Sequence, residues 1–277
     1  MNTLSVAEQL IYSTVKLTAR RAGAATSTGT GFFFRFAVQG LNFVPAIVTN
    51  NHVINNNDEL IVVCHLADHD KPSGKYIRCT VPLDARRVIR HPDPNIDLCA
   101  ILFADILNQA IAAQSPLFFV GLDTGLIPCV DEWQYFDAIE EVTMIGCPNG
   151  ISDEVNNLPI SRQGITASSL ARNYNGKQEF MVDMACFPGS SGSPVFVYNR
   201  DGYLDRKTNN FMMGLTRLKL VGILYAGPLI TNTGTIVLGQ PSQVQVAAMM
   251  HLGNVIKSSE IVTLEGIIRA MQPNHPN

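Results

Sequence analysis

The segment Asp183-Met-Ala-Cys-Phe-Pro-Gly189-Ser190-Ser191-Gly192-Ser193-Pro194-Val195 joins two apolar runs through a turn in which two glycines bracket a pair of serines. Glycine lets the backbone turn sharply and aim neighbouring N–H groups at one point, with a hydroxyl exposed between them. Gly/Ser-rich turns are common, so the turn alone decides little. The Gly-x-Ser-x-Gly elbow does not fit, because its fifth residue is Ser193.

Two further contexts change its weight. Ala46-Ile-Val-Thr-Asn-Asn-His52-Val-Ile54 runs an apolar strand into a histidine, and Asn95-Ile-Asp97-Leu-Cys-Ala-Ile-Leu102 places an aspartate at the mouth of another strand. Taken singly, such a histidine reads as structural and such an aspartate as a turn or cap residue. Together they give His52, Asp97 and Ser191 in the order His…Asp…Ser, the residue types of a nucleophile with its base and orienting acid.

Working outward, the texture is all-β: short Val, Ile, Phe and Thr runs recur between Gly, Pro, Asn and Asp clusters. The first half offers strands at 11–17, 30–36, 46–49, 60–66, 76–81 and 97–103, and the second half at 141–147, 163–168, 179–184, 193–198, 220–225 and 235–238. Two sets of about six on either side of a turn-rich stretch near 121–131 predict two six-stranded antiparallel β-barrels, since closing a sheet removes its edges. The expected division is residues 1–125, carrying His52 and Asp97, and residues 126–277, carrying Ser191 and a helical segment near the C-terminus. Helical patterns stand before Ile11, at 104–113 and at 242–256.

Of the 277 residues 46% are hydrophobic and 16% charged, enough to bury a full core and too apolar for disorder. A formal charge of −3 gives no general attraction to nucleic acid or an anionic membrane. The apolar stretch 220–230 is broken by glycine and proline and falls short of the ~20 residues of a spanning helix. The opening MNTLSVAEQL lacks the pattern of a secretory signal, so with Met1 as native start the expected location is cytoplasmic. Six scattered cysteines then read as reduced thiols, and Cys64, His65, His69 and Cys79 fit no standard zinc spacing.

The chain resembles the chymotrypsin-fold (trypsin-like) serine peptidases, in style nearest the bacterial HtrA and glutamyl-endopeptidase branch without a PDZ domain. Besides the three blocks quoted, the resemblance rests on Thr28-Gly-Thr-Gly-Phe-Phe33, Ile145-Gly-Cys-Pro-Asn-Gly150, Gln163-Gly-Ile-Thr166 and Leu220-Val-Gly-Ile-Leu-Tyr-Ala-Gly227. It implies a serine endopeptidase needing no cofactor or metal, whose partner is a peptide or protein substrate. Ser191 would be the nucleophile, His52 the general base, Asp97 its orienting acid, and the N–H groups of Gly189 and Ser191 the oxyanion hole. Ala185 would floor the pocket for the residue before the cut, with Cys186, Phe187, Leu224, Tyr225, Ala226 and Gly227 as its walls. Relatives activated by cleavage have an aspartate where Ser190 stands, so that ion pair is not expected here. Glutamate-selective relatives have a histidine where Leu224 stands, which leaves uncharged residues as the expected preference. A catalytically silent peptide-binding pseudo-protease and a purely structural domain are the alternatives.

Overall fold

A computed structural model describes residues 4–227, 229–238 and 240–272. In chain order the elements are α1 (Val6–Ser13), β1 (Thr14–Arg21), β2 (Ala24–Gln39), β3 (Asn42–Thr49), α2 (Asn51–Ile54), β4 (Glu59–Asp68), β5 (Lys71–Pro82), β6 (Val88–Arg90) and β7 (Cys99–Leu102). They continue with α3 (Ala104–Ala112), β8 (Leu117–Phe118), β9 (Glu141–Gly146), β10 (Ile160–Thr166), β11 (Glu179–Asp183) and β12 (Pro194–Asn199). The last are β13 (Gly202–Asp205), β14 (Asn210–Met213), β15 (Arg217–Ala226), β16 (Leu229–Leu238), β17 (Gln240–Met249), β18 (Leu252–Lys257) and α4 (Ser259–Met271).

In the second half the strands expected at 141–147, 163–168, 179–184, 193–198 and 220–225 close with β18 into a six-stranded barrel, β10-β11-β18-β15-β12-β9; the run expected at 235–238 lies instead in β16, outside the barrel. The first set is an eight-stranded sheet in the order β5-β4-β1-β2-β3-β7-β6, with β8 on β4. Its count exceeds the expected six because β6 and β8, three and two residues long, are too short to show alternation in sequence. The helical reading of 242–256 is corrected: Gln240–Met249 and Leu252–Lys257 are strands, and the helix begins at Ser259. Gln243-Val-Gln-Val246 alternates with period two, whereas Ile261, Leu264 and Ile268 recur at helical spacing and are buried. The hairpins β13–β14 and β16–β17 stand outside both main sheets.

Strand alternation builds three cores. Along β2, Phe33 turns into the first sheet with Leu17, Ile47, Val62 and Phe103, while Phe32, Phe34 and Phe36 face the other way. In β12, Val195 and Val197 fill the barrel with Phe180, Val182 and Val221, while Phe196 faces out. The outward rings meet: Phe32, Phe34, Phe36, Ile145, Phe196, Leu220 and Ile256 make one core between sheet and barrel. Helix α4 seals it with Ile261, Leu264 and Ile268. Although α4 follows the barrel in sequence, it is fastened to the first sheet, where both carboxylate oxygens of Glu265 accept the N–H of Ala37 at 3.1 Å. Ala37 has φ +51°, a bulge conformation that lifts its N–H out of the ladder.

Thr30, fully buried in β2, fastens the two halves again. Its hydroxyl donates to the carbonyl of Gly189 at 2.9 Å and accepts the N–H of Cys147 at 2.9 Å. Its own N–H donates to the carbonyl of Ser191 at 2.8 Å, and its carbonyl accepts from the Thr49 hydroxyl at 2.7 Å.

Replacing Thr30 with valine keeps the shape and strands two buried backbone groups, each worth roughly 1–3 kcal/mol when unpaired. Thr30→Val is expected to lose about 2–4 kcal/mol in urea unfolding, and Thr30→Ser to recover most of it. A second expectation concerns pH. Burial pushes the thiols of Cys99 and Cys147 up to about 12 and that of Cys186 to about 11, from an ordinary 9.0. The unfolded chain therefore loses these protons first, so stability is highest below pH 9 and falls as pH rises towards 12. Unfolding curves on either side of pH 9 should show the fall, with a smaller slope in Cys99→Ala.

Candidate functional site

The site lies where β3, the loop before β7 and the β11–β12 turn converge. Strand β3 ends at Thr49, and the one-turn helix α2 then carries His52. Asn50 and Asn51 latch this turn to the aspartate loop, donating to the carbonyls of Asp97 at 2.7 Å and Leu98 at 3.1 Å. Arg90 holds Asn51 from outside at 2.6 Å. The Asp97 carboxylate meets His52 twice: one oxygen accepts the His52 backbone N–H at 3.0 Å and the other is hydrogen-bonded to the ring Nδ1. That contact fixes the proton on Nδ1 and leaves Nε2 as the acceptor. Behind α2, a Cβ on Gly29 would stand 2.6 Å from Val53, so a bare glycine admits the β-branched side chain that seats the histidine turn.

The turn carrying Ser191 is held by backbone hydrogen bonds and by the Thr30 hydroxyl on the Gly189 carbonyl. Ser190 N–H donates to Phe187 O at 3.0 Å, Gly192 N–H to Leu224 O at 2.8 Å, and Ser193 N–H to Ser190 O at 3.0 Å. Gly189 and Gly192 have φ of +83° and +87°, and a Cβ on Gly192 would fall 1.9 Å from the Thr30 carbonyl. Among the described residues, the N–H groups of Gly189 and Ser191 have no acceptor within the protein. Two unpaired donors beside one hydroxyl suit an incoming oxygen that carries negative charge. The Ser191 hydroxyl itself donates to the carbonyl of Tyr225 at 3.2 Å and makes no hydrogen bond to His52. Ser190 is fully buried, and among the described residues its hydroxyl has no partner.

The remaining residues read from sequence surround this turn. Ala185 and Phe187 are half-buried, whereas Cys186 and Leu224, each 2% exposed, close against Gly253. Tyr225, Ala226 and Gly227 are half-buried along the end of β15. Burial and the nearby Glu179 carboxylate raise the Tyr225 phenol above its usual range, so its ring stays neutral.

Sequence reading missed several participants. Thr30, Asn50 and Asn51 stand inside quoted motifs, but nothing in their spacing shows that they bridge to distant loops. Arg162 donates to the carbonyl of Ala185 and stacks 4.9 Å above the Phe187 ring, whose edge also meets His251 at 5.7 Å. Only the strand pairing of β10 and β11, and of β11 and β18, brings those residues together.

Comparison with solved structures finds a serine endoprotease from Yersinia pestis at 15% identity, covering 97% of this chain and 68% of that one, TM-score 0.49. It also finds Rv3671c from M. tuberculosis H37Rv at 13%, covering 98% and 92%, TM-score 0.47. The MamO protease domain from Magnetospirillum magneticum is similar at 13%, covering 97% and 100%, TM-score 0.46. No curated protein matches the sequence. The family model described as a trypsin-like peptidase domain matches residues 29–204, a span that takes in His52, Asp97 and Ser191. With most of its length inside that match, and with one closed barrel beside a second β-sheet, the chain belongs to the trypsin-like peptidase domain family.

Proposed function

We propose that this protein is a serine endopeptidase working through Ser191, His52 and Asp97. The observation that carries the reading is the Asp97–His52 hydrogen bond lying in the same family domain as a serine flanked by two unpaired N–H groups. In the reaction the Ser191 Oγ attacks the scissile carbonyl carbon while its proton passes to His52 Nε2. The carbonyl oxygen, now negative, takes the N–H groups of Gly189 and Ser191, a pair worth several kcal/mol, at roughly 3–4 kcal/mol per donor. Asp97 stabilises the imidazolium. Breaking the C–N bond transfers the proton from His52 to the leaving amine and leaves an acyl-Ser191 ester. Water, deprotonated by His52, then hydrolyses that ester and restores the free hydroxyl.

One observation favours the alternative, a catalytically silent peptide-binding pseudo-protease: the Ser191 hydroxyl bonds Tyr225 rather than His52. A rotation about Cα–Cβ moves Oγ between staggered positions at little cost, and a neutral hydrogen bond nets only about 1 kcal/mol. The contact with Tyr225 is therefore a resting arrangement that an arriving carbonyl displaces.

For the residue before the cut, the reading is a preference for uncharged side chains, aliphatic or aromatic. Ala185 brings no charge to the floor, and the Arg162 guanidinium is already committed to the Ala185 carbonyl and the Phe187 ring. An unpaired charge buried there would cost several kcal/mol, more than the ~1–3 kcal/mol of a good apolar fit.

A fluorophosphonate probe should label the wild-type protein, and Ser191→Ala and His52→Ala should each abolish labelling and peptide hydrolysis while the circular dichroism spectrum is unchanged. Hydrolysis by Ser191→Ala at the parental rate overturns the assignment. Profiling with a peptide library should show cuts after apolar residues. Dominant cutting after Arg, Lys or Glu refutes the pocket reading.

A further inference from the structure

We infer that Lys16 forms a subsite for a carboxylate side chain carried within two residues after the cut bond; the inference rests on the peptidase reading above. In that reading the acyl part of a substrate lies by the end of β15 and the Ala185–Phe187 wall. The amine part must then leave on the opposite side of Gly189, past the turn at Cys147–Gly150. The two sides are joined at Gly189 itself, where an added Cβ would meet Asn149 N and Gly150 N at 2.9 and 3.1 Å.

Lys16 reaches that exit from below. It stands on β1 opposite Thr30, the residue that fixes both the Gly189 carbonyl and the Cys147 N–H. A Cβ on Gly150 would lie 3.6 Å from Lys16 Cε and 3.7 Å from Nζ, with the Thr28 hydroxyl at 3.9 Å. Gly150, with φ +71°, leaves this space clear. The ammonium also bears on Cys147, whose thiol it draws down against the larger effect of burial.

The charge is available. Among the described residues Lys16 has no carboxylate within 4.0 Å, though it is half-buried. It lines a cavity with Tyr12, His65, Cys147, Ser152 and Asn157, and no acidic residue lines that cavity. His65 is kept neutral there, since burial lowers its imidazole below the usual value and its Nε2 is engaged by the Asn157 carbonyl at 3.0 Å. Of the two acids in the 150–157 segment, Asp153 is committed to Asn156 and to the Val155 N–H, and neither it nor Glu154 forms an ion pair with Lys16. A half-buried cation among neutral polar groups, beside the exit for the amine product, favours a substrate carboxylate over any other side chain.

The test uses fluorogenic peptides identical except for Glu, Gln or Lys at the first and second positions after the cut. The wild-type protein should cleave the Glu peptides with kcat/KM about tenfold above the Gln peptides, and about 0.5 M salt should narrow the gap. Lys16→Met, which keeps the aliphatic stem, should cleave Glu and Gln peptides equally, and Lys16→Glu should invert the preference towards Lys. A protein that takes the fluorophosphonate label but has the same Glu-to-Gln ratio in wild type and Lys16→Met overturns the Lys16 subsite alone. One that neither labels nor cleaves any peptide overturns the subsite together with the peptidase reading.

Discussion

Everything at the centre of the molecule hangs on Thr30. One hydroxyl and one peptide unit hold the carbonyls of Gly189 and Ser191, the N–H of Cys147 and the hydroxyl of Thr49. These groups belong to both halves of the chain, and Thr30, Thr49, Cys147 and Gly189 are buried, where an unmade hydrogen bond is expensive. The N–H groups of Gly189 and Ser191 are turned by their own peptide units: the carbonyls of Pro188 and Ser190, trans to them, accept from the N–H groups of Asn149 and Ser193. The phenylalanine-rich interface behind Thr30 buries apolar surface between the sheet and the barrel, but it is non-directional. The directional contacts set how the two halves register.

The histidine side of the site solves the same problem by other means. Asn50 and Asn51 are short amides placed where they can reach two consecutive carbonyls of the aspartate loop, and Val53 packs where Gly29 leaves room. The loop and the turn are thereby joined without a covalent bond, consistent with a chain whose cysteines are all free thiols. Asp97 spends one oxygen on the His52 backbone and one on its ring, so the ring is oriented by the same group that would stabilise its charge.

What could be read from the sequence follows from the range of each signal. Period-two alternation exposed most strands, and apolar residues flanking His52, Asp97 and Ser191 marked where each would emerge from the sheets. Strands of two or three residues, such as Leu117–Phe118, carry no period and stayed hidden. The segment 242–256 misled because Val, Gln and Ala suit either period over a short window, and the helical spacing of Ile261, Leu264 and Ile268 lay just beyond it. Thr30, Arg162 and Lys16 matter through partners more than a hundred residues away or across a barrel, and no local pattern encodes a partner. The closure of Cys186 and Leu224 on Gly253 depends on β18 lying beside β11 and β15, a pairing with no local sign in the sequence.

The attachment of α4 to the first sheet has a consequence for the order in which the molecule is made. A growing chain exposes Ala37 long before Glu265 has been synthesised, so the bulge in β2 has no acceptor while the barrel is being added. The apolar face formed by Phe32, Phe34 and Phe36 likewise waits for Ile261, Leu264 and Ile268. Contacts of such long sequence separation form late, because loop closure must be met before they contribute. The packing of the first sheet is therefore completed only by a helix made after the whole barrel, although every strand of that sheet is synthesised before the barrel begins.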